Sequence, residues 1–443
     1  MKSKKRRIAM TGATGLLGRN LIFELLKRHL SRLEELEIFV FGRADSLGVS
    51  LQDRLRRILL SDGFAYLGIR QDLYEPLLSR LSTVIRCVEL DFDCENHGLA
   101  GPSLQELQAR PIDWFFHLAG LTDFRSTPGA VAALRRVNVE GTHRLLALLS
   151  DISVREFCYV STAYVCGGAS GRIQPGVVNP SAQFRNPYER SKFEAEMLVR
   201  QFAARTGTRC RYFRPSTICG RLLEPPWGAV CKFDVFYAWA AFLLRLKRQQ
   251  TGIWDAAEPG ELDLRICYNR ASGLNIVPAD YAAKVICSVC EQGDAGESYH
   301  LVNNAETAHE LYIPQMVRAV GVAGVTQVSR IPEDQNRQEK FYYKSVGASY
   351  TPYITCEEMR FDAANLQQVL SRDGLSCPAV GRREFALLMA YAIEHDFGLK
   401  NSPRVSPPEP SQEFAARKAG AGSQRPSRRT VTSSSRRMAA SFR

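Results

Sequence analysis

Tyr188 and Lys192 stand four residues apart in Asn186-Pro187-Tyr188-Glu189-Arg190-Ser191-Lys192-Phe193. Proline suits the first position of a helix, and on a helix residues four apart share one face. An ammonium beside a phenol favours the phenolate and draws its pKa from about 10 toward neutrality. Such a pair can hand a proton to an alkoxide as it forms. Upstream lies Met10-Thr11-Gly12-Ala13-Thr14-Gly15-Leu16-Leu17-Gly18. Gly12, Gly15 and Gly18 would allow a tight strand-to-helix turn and close backbone approach to a pyrophosphate at the helix N-terminus, with Thr14, Leu16 and Leu17 in the same turn. The plainer reading of the glycines is packing. Proton donor and dinucleotide turn together, in this order, imply hydride transfer.

Further residues follow strand ends. The second strand closes with Phe41-Gly42-Arg43. An acid there would hold a ribose diol, whereas an arginine can neutralise a 2′-phosphate, so NADPH is expected rather than NADH. Asp91 and Phe92 follow the third strand, where an acid can accept from the adenine amine. Leu118, Ala119 and Gly120 follow His117 and the fourth strand, where small residues let the backbone lie against a coenzyme; His117 itself reads as structural. Ser161 and Thr162 end the strand before the Tyr/Lys helix. A hydroxyl there can hold a substrate carbonyl oxygen beside the tyrosine, and only one of two adjacent residues can point at the site.

The elements that must position these residues alternate. Ile8–Met10, Glu37–Phe41, Val84–Leu90, Ile112–His117, Phe157–Val160 and Arg211–Phe213 read as strands. Leu17–Leu30, Leu51–Leu60, Val131–Leu149 and Pro187–Ala204 read as helices. This pattern predicts an α/β fold: a Rossmann-type doubly wound parallel sheet. The rhythm breaks from Arg221 to Arg270 and resumes near Asn275. Three parts are expected: 1–220 as a nucleotide-binding domain, 221–400 as a smaller substrate-binding part interleaved with the last strands, and 401–443 as a disordered basic tail rich in Ser, Pro, Arg and Gly.

Composition excludes several classes. The formal charge is +12 over 443 residues. Residues 401–443 hold nine Lys/Arg against two Glu, and the first seven residues hold five more cations, so the body is close to neutral. No nucleic-acid groove is implied. Twelve scattered cysteines and the lack of a secretory h-region point to a reducing cytoplasm. Cys287-x-x-Cys290 has no second pair at zinc spacing, and no metal site is expected. No apolar run reaches the roughly 18 residues of a membrane span. Val235–Leu244 (VFYAWAAFLL) reads three ways: a core helix, a lining for an apolar substrate, or an interfacial helix giving peripheral membrane contact.

Taken in order, the motifs resemble the extended short-chain dehydrogenase/reductase superfamily over about Arg7 to Glu310. They are the glycine triplet, His117-Leu118-Ala119-Gly120, Asn138-Val139-Glu140-Gly141-Thr142, Ser161-Thr162, Tyr188-x-x-x-Lys192 and Arg214-Pro215-Ser216. The resemblance implies a catalytic set of Thr162, Tyr188, Lys192 and Asn138, with Asn138 supporting the lysine directly or through water. It adds Ser161, Pro215 and Ser216, with Tyr188 and Lys192, to the coenzyme site. Within the superfamily, Val160–Val165, Tyr188–Glu196, Arg214–Gly220 and Ile276–Tyr281 are most similar to the thioester reductase and fatty acyl-CoA reductase branch. That branch implies reduction of an acyl thioester, on coenzyme A or an acyl carrier protein, to an aldehyde or alcohol. With no adenylation or carrier domain evident, the thioester would come from elsewhere. The alternatives are a ketone or secondary-alcohol oxidoreductase acting on a sterol-like, polyketide-derived or nucleotide-sugar substrate, and a non-catalytic dinucleotide-binding regulator.

Overall fold

A computed structural model describes residues 5–90, 101–292 and 296–399, with the backbone alone at 101 and 102. Seven strands form its central sheet: β1 Arg6–Thr11, β2 Leu36–Gly42, β3 Ile85–Glu89, β4 Ile112–His117, β5 Val154–Val160, β6 Arg209–Pro215 and β7 Ser298–Leu301. The order is β7-β6-β5-β4-β1-β2-β3, and every neighbouring pair is parallel. The order reverses between β1 and β4, so the strand C-termini open a crevice there. This is the doubly wound parallel sheet expected.

Side-chain alternation divides the core into two layers. Ile8, Met10, Ile38, Val40 and Phe116 face one side and pack with helices α1 (Leu16–Arg28) and, later in the chain, Ala279–Gln292. Ala9, Phe39, Phe41, Phe115 and Phe157 face the other and pack with Leu145, Leu148, Ala195 and Val199. Both faces are covered, which is why the central strands read as near-continuous apolar runs. A third apolar cluster lies in the region of broken rhythm. It gathers Trp239, Leu243 and Leu246 with Leu262, Leu264 and Ile266 of a short strand, Gly260–Cys267, that pairs in parallel with Val322–Val328. Residues 5–399 belong to one compact unit.

Two differences from expectation bear on the site. Val131–Leu149 is not one α-helix: it runs Pro128–Leu134, then a π-helical turn at Arg135–Glu140, then α2 (Gly141–Leu148). The wider turn carries the buried Asn138, and such turns accompany functional sites. The apolar run near 235 becomes α3 (Phe236–Thr251), whose Phe236, Tyr237, Trp239, Leu243 and Leu244 are buried. Its cations are largely engaged by protein: Lys247 donates to the Asp255 and Glu258 carbonyls, and Arg248 to the Trp254 carbonyl and Asp396. Asp91, Phe92 and the 401–443 tail lie outside the described residues. Among the described residues, no helix is long and apolar enough to cross a membrane.

Candidate active site

Gly12 sits at φ +73°, and a Cβ there would lie 2.6 Å from the Ala119 nitrogen. A Cβ on Gly18 would lie 2.1 Å from the Gly12 carbonyl oxygen. The turn therefore closes against β4 and onto its own helix only because side chains are missing. Gly15 caps α1 with no side-chain hydrogen bond, and the first turn carries no acid. The first N–H groups of a 13-residue helix thus stay free for an anion. These features fit a dinucleotide pyrophosphate. The flanking hollow is lined by Thr14, Arg43, Arg54 and Ala119, and Arg54 Nη2 donates to Thr14 Oγ1 at 3.0 Å.

Behind the turn, one chain of hydrogen bonds fixes the protons. The Ala119 N–H donates to Thr11 Oγ1 at 3.2 Å, and the Thr11 hydroxyl pairs with His117 Nδ1 at 2.7 Å. Thr142 Oγ1 donates to the Asn138 carbonyl at 2.6 Å, so it accepts from His117 Nε2 at 3.0 Å. His117 Nε2 therefore bears a proton, and because burial keeps the ring neutral, Nδ1 accepts from the Thr11 hydroxyl. Burial, joined by the Lys192 charge, pushes its pKa down to about 3. It braces β1, β4 and α2 against one another.

The Tyr/Lys helix, α4 (Pro187–Thr206), starts as the sequence predicts. Asn186 Oδ1 accepts from the Glu189 N–H at 3.0 Å, and Pro187 occupies the first position. Lys192 is buried, and its Nζ donates to the Val160 carbonyl at 2.8 Å. It also lies 4.5 Å from the centre of the Tyr159 ring. Burial lowers its pKa to about 8, a shift that Glu196 opposes. Tyr188 is half-buried with its ring 5.5 Å from that of Phe124. Its hydroxyl shares hydrogen bonds with Thr122 and Thr162, but burial outweighs them and pushes the phenol up to about 12. The expected near-neutral phenol is therefore corrected for the protein alone: the lysine ammonium is spent on the Val160 carbonyl and does not lead among the causes acting on Tyr188.

Of the adjacent hydroxyls, Thr162 meets Tyr188. It also donates to the Pro215 carbonyl at 3.4 Å and accepts from the Tyr164 N–H at 3.3 Å. Ser161 is buried, and near it burial works against the Glu196 charge while the Arg214 guanidinium holds that carboxyl below the usual range. Asn138 acts one step away from Lys192. Its Oδ1 accepts from the Leu121 N–H at 2.7 Å, and its Nδ2 donates to the Leu121 carbonyl and Ser191 Oγ, each at 2.9 Å. Ser191 in turn donates to the Tyr188 carbonyl at 2.8 Å. The amide clasps the loop after β4 to the first turn of α4.

One cleft is lined by Gly12, Gly15, Leu16, Leu17, Gly18, Leu118, Gly120, Ser161, Thr162, Tyr188, Lys192, Pro215 and Ser216. The structure thus gathers most of the expected residues, with Thr14, Arg43 and Ala119 on its nucleotide side. Sequence reasoning missed Thr122, Phe124 and Asp234, which line the same cleft; Val235, which also lines it, begins the run read as a possible substrate lining. Thr122 follows His117-Leu118-Ala119-Gly120 by two residues, a spacing that could have flagged it. Val235 holds φ +52°, a strained value for a β-branched residue that no local motif announces.

A family model described as "Male sterility protein" matches residues 10–286. The chain belongs to this NAD-binding family. It is an oxidoreductase of the extended short-chain dehydrogenase/reductase type. A linear gramicidin synthase chain of Brevibacillus parabrevis is 25% identical over 308 residues, which span 68% of this chain but 5% of that protein. The terminal R domain of the myxalamid PKS-NRPS pathway aligns with a TM-score of 0.64 and 24% identity, covering 90% of this chain and 93% of that one. A thiolation-reductase di-domain from an archaeal non-ribosomal peptide synthetase gives a TM-score of 0.58 and 19% identity, covering 89% and 77%.

The NADPH expectation is corrected. A UDP-glucuronic acid 4-epimerase from Bacillus cereus (TM-score 0.54, 14% identity, covering 88% and 99%) is captured with NAD. A dTDP-glucose 4,6-dehydratase from Streptomyces venezuelae (TM-score 0.58, 18% identity, covering 88% and 98%) also holds NAD. The physical weakness lies at Arg43, which is exposed. The fold uses its carbonyl, which accepts from Arg54 Nη1 at 3.2 Å, and not its guanidinium.

Proposed function

We propose that this chain reduces an acyl thioester, borne on a carrier protein or coenzyme A, to an aldehyde with NADH. One observation carries the reading: the cleft with Tyr188 and Thr162 opens in two chemically different directions. On one side, Phe124, Tyr164, Phe236, Trp239, Tyr312 and Tyr353 wall an apolar pocket suited to an acyl group. On the other, Thr122, Asp123, Arg125, Ser126, Thr127 and Ser349 line a polar channel suited to an amide-rich pantetheine arm. The two meet at Phe124, Val235 and Tyr350. Likeness to the thioester-reductase domains supports the same substrate class.

The nicotinamide, when bound, supplies the hydride. Thr162 and Tyr188 would donate to the carbonyl oxygen as charge develops on it, together worth a few kcal/mol of barrier lowering. Tyr188 then gives its proton to that oxygen. With the hydride on carbon this yields a hemithioacetal, whose C–S bond breaks to release aldehyde and thiol. Lys192 would hold the ribose hydroxyls beside the tyrosine, and Asn138 would hold the loop and helix that carry them. Residues 1–220 would bind the coenzyme, and 221–400 would supply most of the acyl pocket, with Phe124 and Tyr164 completing its wall.

Loss of reduced-nicotinamide absorbance with acyl-coenzyme A thioesters, against ketones of equal size, tests the substrate class; turnover of ketones alone would refute it. Tyr188→Phe should lower kcat by roughly 10²–10⁴-fold while leaving NADH affinity, measured by fluorescence, within about threefold. Full turnover in that variant would remove Tyr188 from the chemistry.

A further inference from the structure

Lys344, exposed at the end of a short helix, α5 (Arg337–Lys344), lines the polar channel at its solvent side. The inner end of that channel is shared with the catalytic cleft, since Thr122 and Asp234 line both. The charges around α5 are sorted by sign. At its N-terminal end Asp334 pairs with Arg265, and Asp263 accepts from Asn336, the residue that caps the helix. Glu339, the acid within the helix, is buried and bonded to Arg265 at 2.6 Å. Toward the channel, Lys340 and Lys344 are exposed one turn apart, and between them Phe341 is 50% exposed. The Phe341 ring lies 5.4 Å from that of Phe242 on α3. Arg245, three residues after Phe242 and so on the same face of α3, is exposed as well. Among the described residues, no carboxylate pairs with Arg245, Lys340 or Lys344.

A lysine at a helix C-terminus is ordinary, because the macrodipole favours a cation there. That does not account for Lys340 in the middle of α5, for Arg245 from another helix, or for an aromatic ring left half bare between them. Like charges four residues apart weaken a helix, and an anionic partner would relieve the repulsion. The geometry points to a docking face: we infer that an acidic carrier protein seats on Arg245, Lys340, Phe341 and Lys344 and from there sends its phosphopantetheine arm into the channel. The inference rests on the thioester reading above and extends it to the partner that delivers the substrate. Lys344 meets the phosphodiester that joins arm to carrier. Lys340 lies about 6 Å farther along α5, and with Arg245 it meets carboxylates of the carrier, while Phe341 receives an apolar side chain. Coenzyme A offers phosphates but nothing apolar for Phe341, so a protein is the occupant that uses the whole face. Charges on such a rim act on association and its salt dependence, not on the chemical step.

The test compares one short acyl group on three bearers, with the full chain and NADH: pantetheine, coenzyme A and an acidic acyl carrier protein. At low salt the carrier-borne thioester should show a kcat/KM about tenfold above that of the pantetheine thioester, a margin that shrinks severalfold as NaCl rises from about 0.05 to 0.5 M. Arg245→Glu with Lys340→Glu should raise KM for the carrier-borne substrate about tenfold and leave that for the pantetheine thioester within about twofold. Neither residue lines the channel or the cleft, so turnover of the pantetheine thioester also reports that the variant is folded. Should it not fold, the salt dependence of the unaltered enzyme decides. A carrier no better than pantetheine, a margin indifferent to salt, or a variant that spares the carrier or weakens all three bearers alike overturns the inference. So does a loss on coenzyme A as large as that on the carrier, which would assign the cations to phosphates. No turnover of the pantetheine thioester by the unaltered enzyme would instead sink the thioester reading, and this inference with it.

Discussion

Lys192 is a cation that the fold keeps at a cost. It is 6% exposed and its pKa falls to about 8 because burial disfavours the charge. Unfolded, it would titrate near 10.4. Between those values the unfolded chain holds a proton that the folded chain lacks, so unfolding free energy rises with pH across that window. Below about pH 8 the protein carries the whole penalty, up to about 3 kcal/mol. Lys192→Met should remove this term. Going from pH 8 to pH 10, the unaltered protein should gain about 2 kcal/mol relative to the variant in urea unfolding. Equal pH dependence in both would show that the ammonium is not desolvated. A lysine tolerated at such a cost is a reason, independent of any motif, to place it at a functional site.

At the scale of elements, the site depends on how the loop after β4 is joined to α4, and Asn138 is the joint. It satisfies the Leu121 N–H, the Leu121 carbonyl and the Ser191 hydroxyl. Asn138→Ala leaves these groups without their partner and should cost about 2–3 kcal/mol, with kcat falling about tenfold as Tyr188 loses its seat. Asn138→Asp keeps the acceptor for Leu121 N–H and should fall between. Urea unfolding of the two variants checks the order, and an unchanged stability in Asn138→Ala would refute the clasp. The sequence made the strands, the glycine turn and α4 legible, since period-2 and helical patterns, Asn186-Pro187 and the glycine spacing are local signals. Ile112–His117 matches its strand to the residue. The π turn that brings Asn138 inward was not legible, because apolar spacing from Val131 to Leu149 reads as one continuous helix. Nor were the pocket walls: Phe124, Val235 and Tyr350 lie far apart in the chain and meet only through the packing of α3 with the segments around 124 and 350.

Across the whole unit, three histidines are held uncharged inside the fold. His117 ties β1 and β4 to α2, and burial puts its pKa near 3. His300, on β7, uses Nδ1 to donate to the Asp362 carbonyl, and burial lowers it to about 4. His309 packs against Tyr312 beneath the apolar pocket and falls to about 4 for the same reason. Each would titrate near 6.5 when unfolded. Above that pH both states are neutral and the stability is fully present. As pH drops from 6.5 toward 4 the unfolded chain takes up protons that the folded chain refuses, so stability falls, by up to about 4 kcal/mol per pH unit for three such groups. The nicotinamide cleft and the acyl pocket would therefore fail together in mild acid, before carboxylate ion pairs such as Arg214–Glu196 are protonated. Urea midpoints at pH 7, 6 and 5 should show this early loss. In the double variant His300→Gln, His309→Gln the slope between pH 6 and 5 should shrink by up to two protons' worth. An unchanged slope would mean that these rings do not stay neutral, and that acid stability is set by the carboxylates alone.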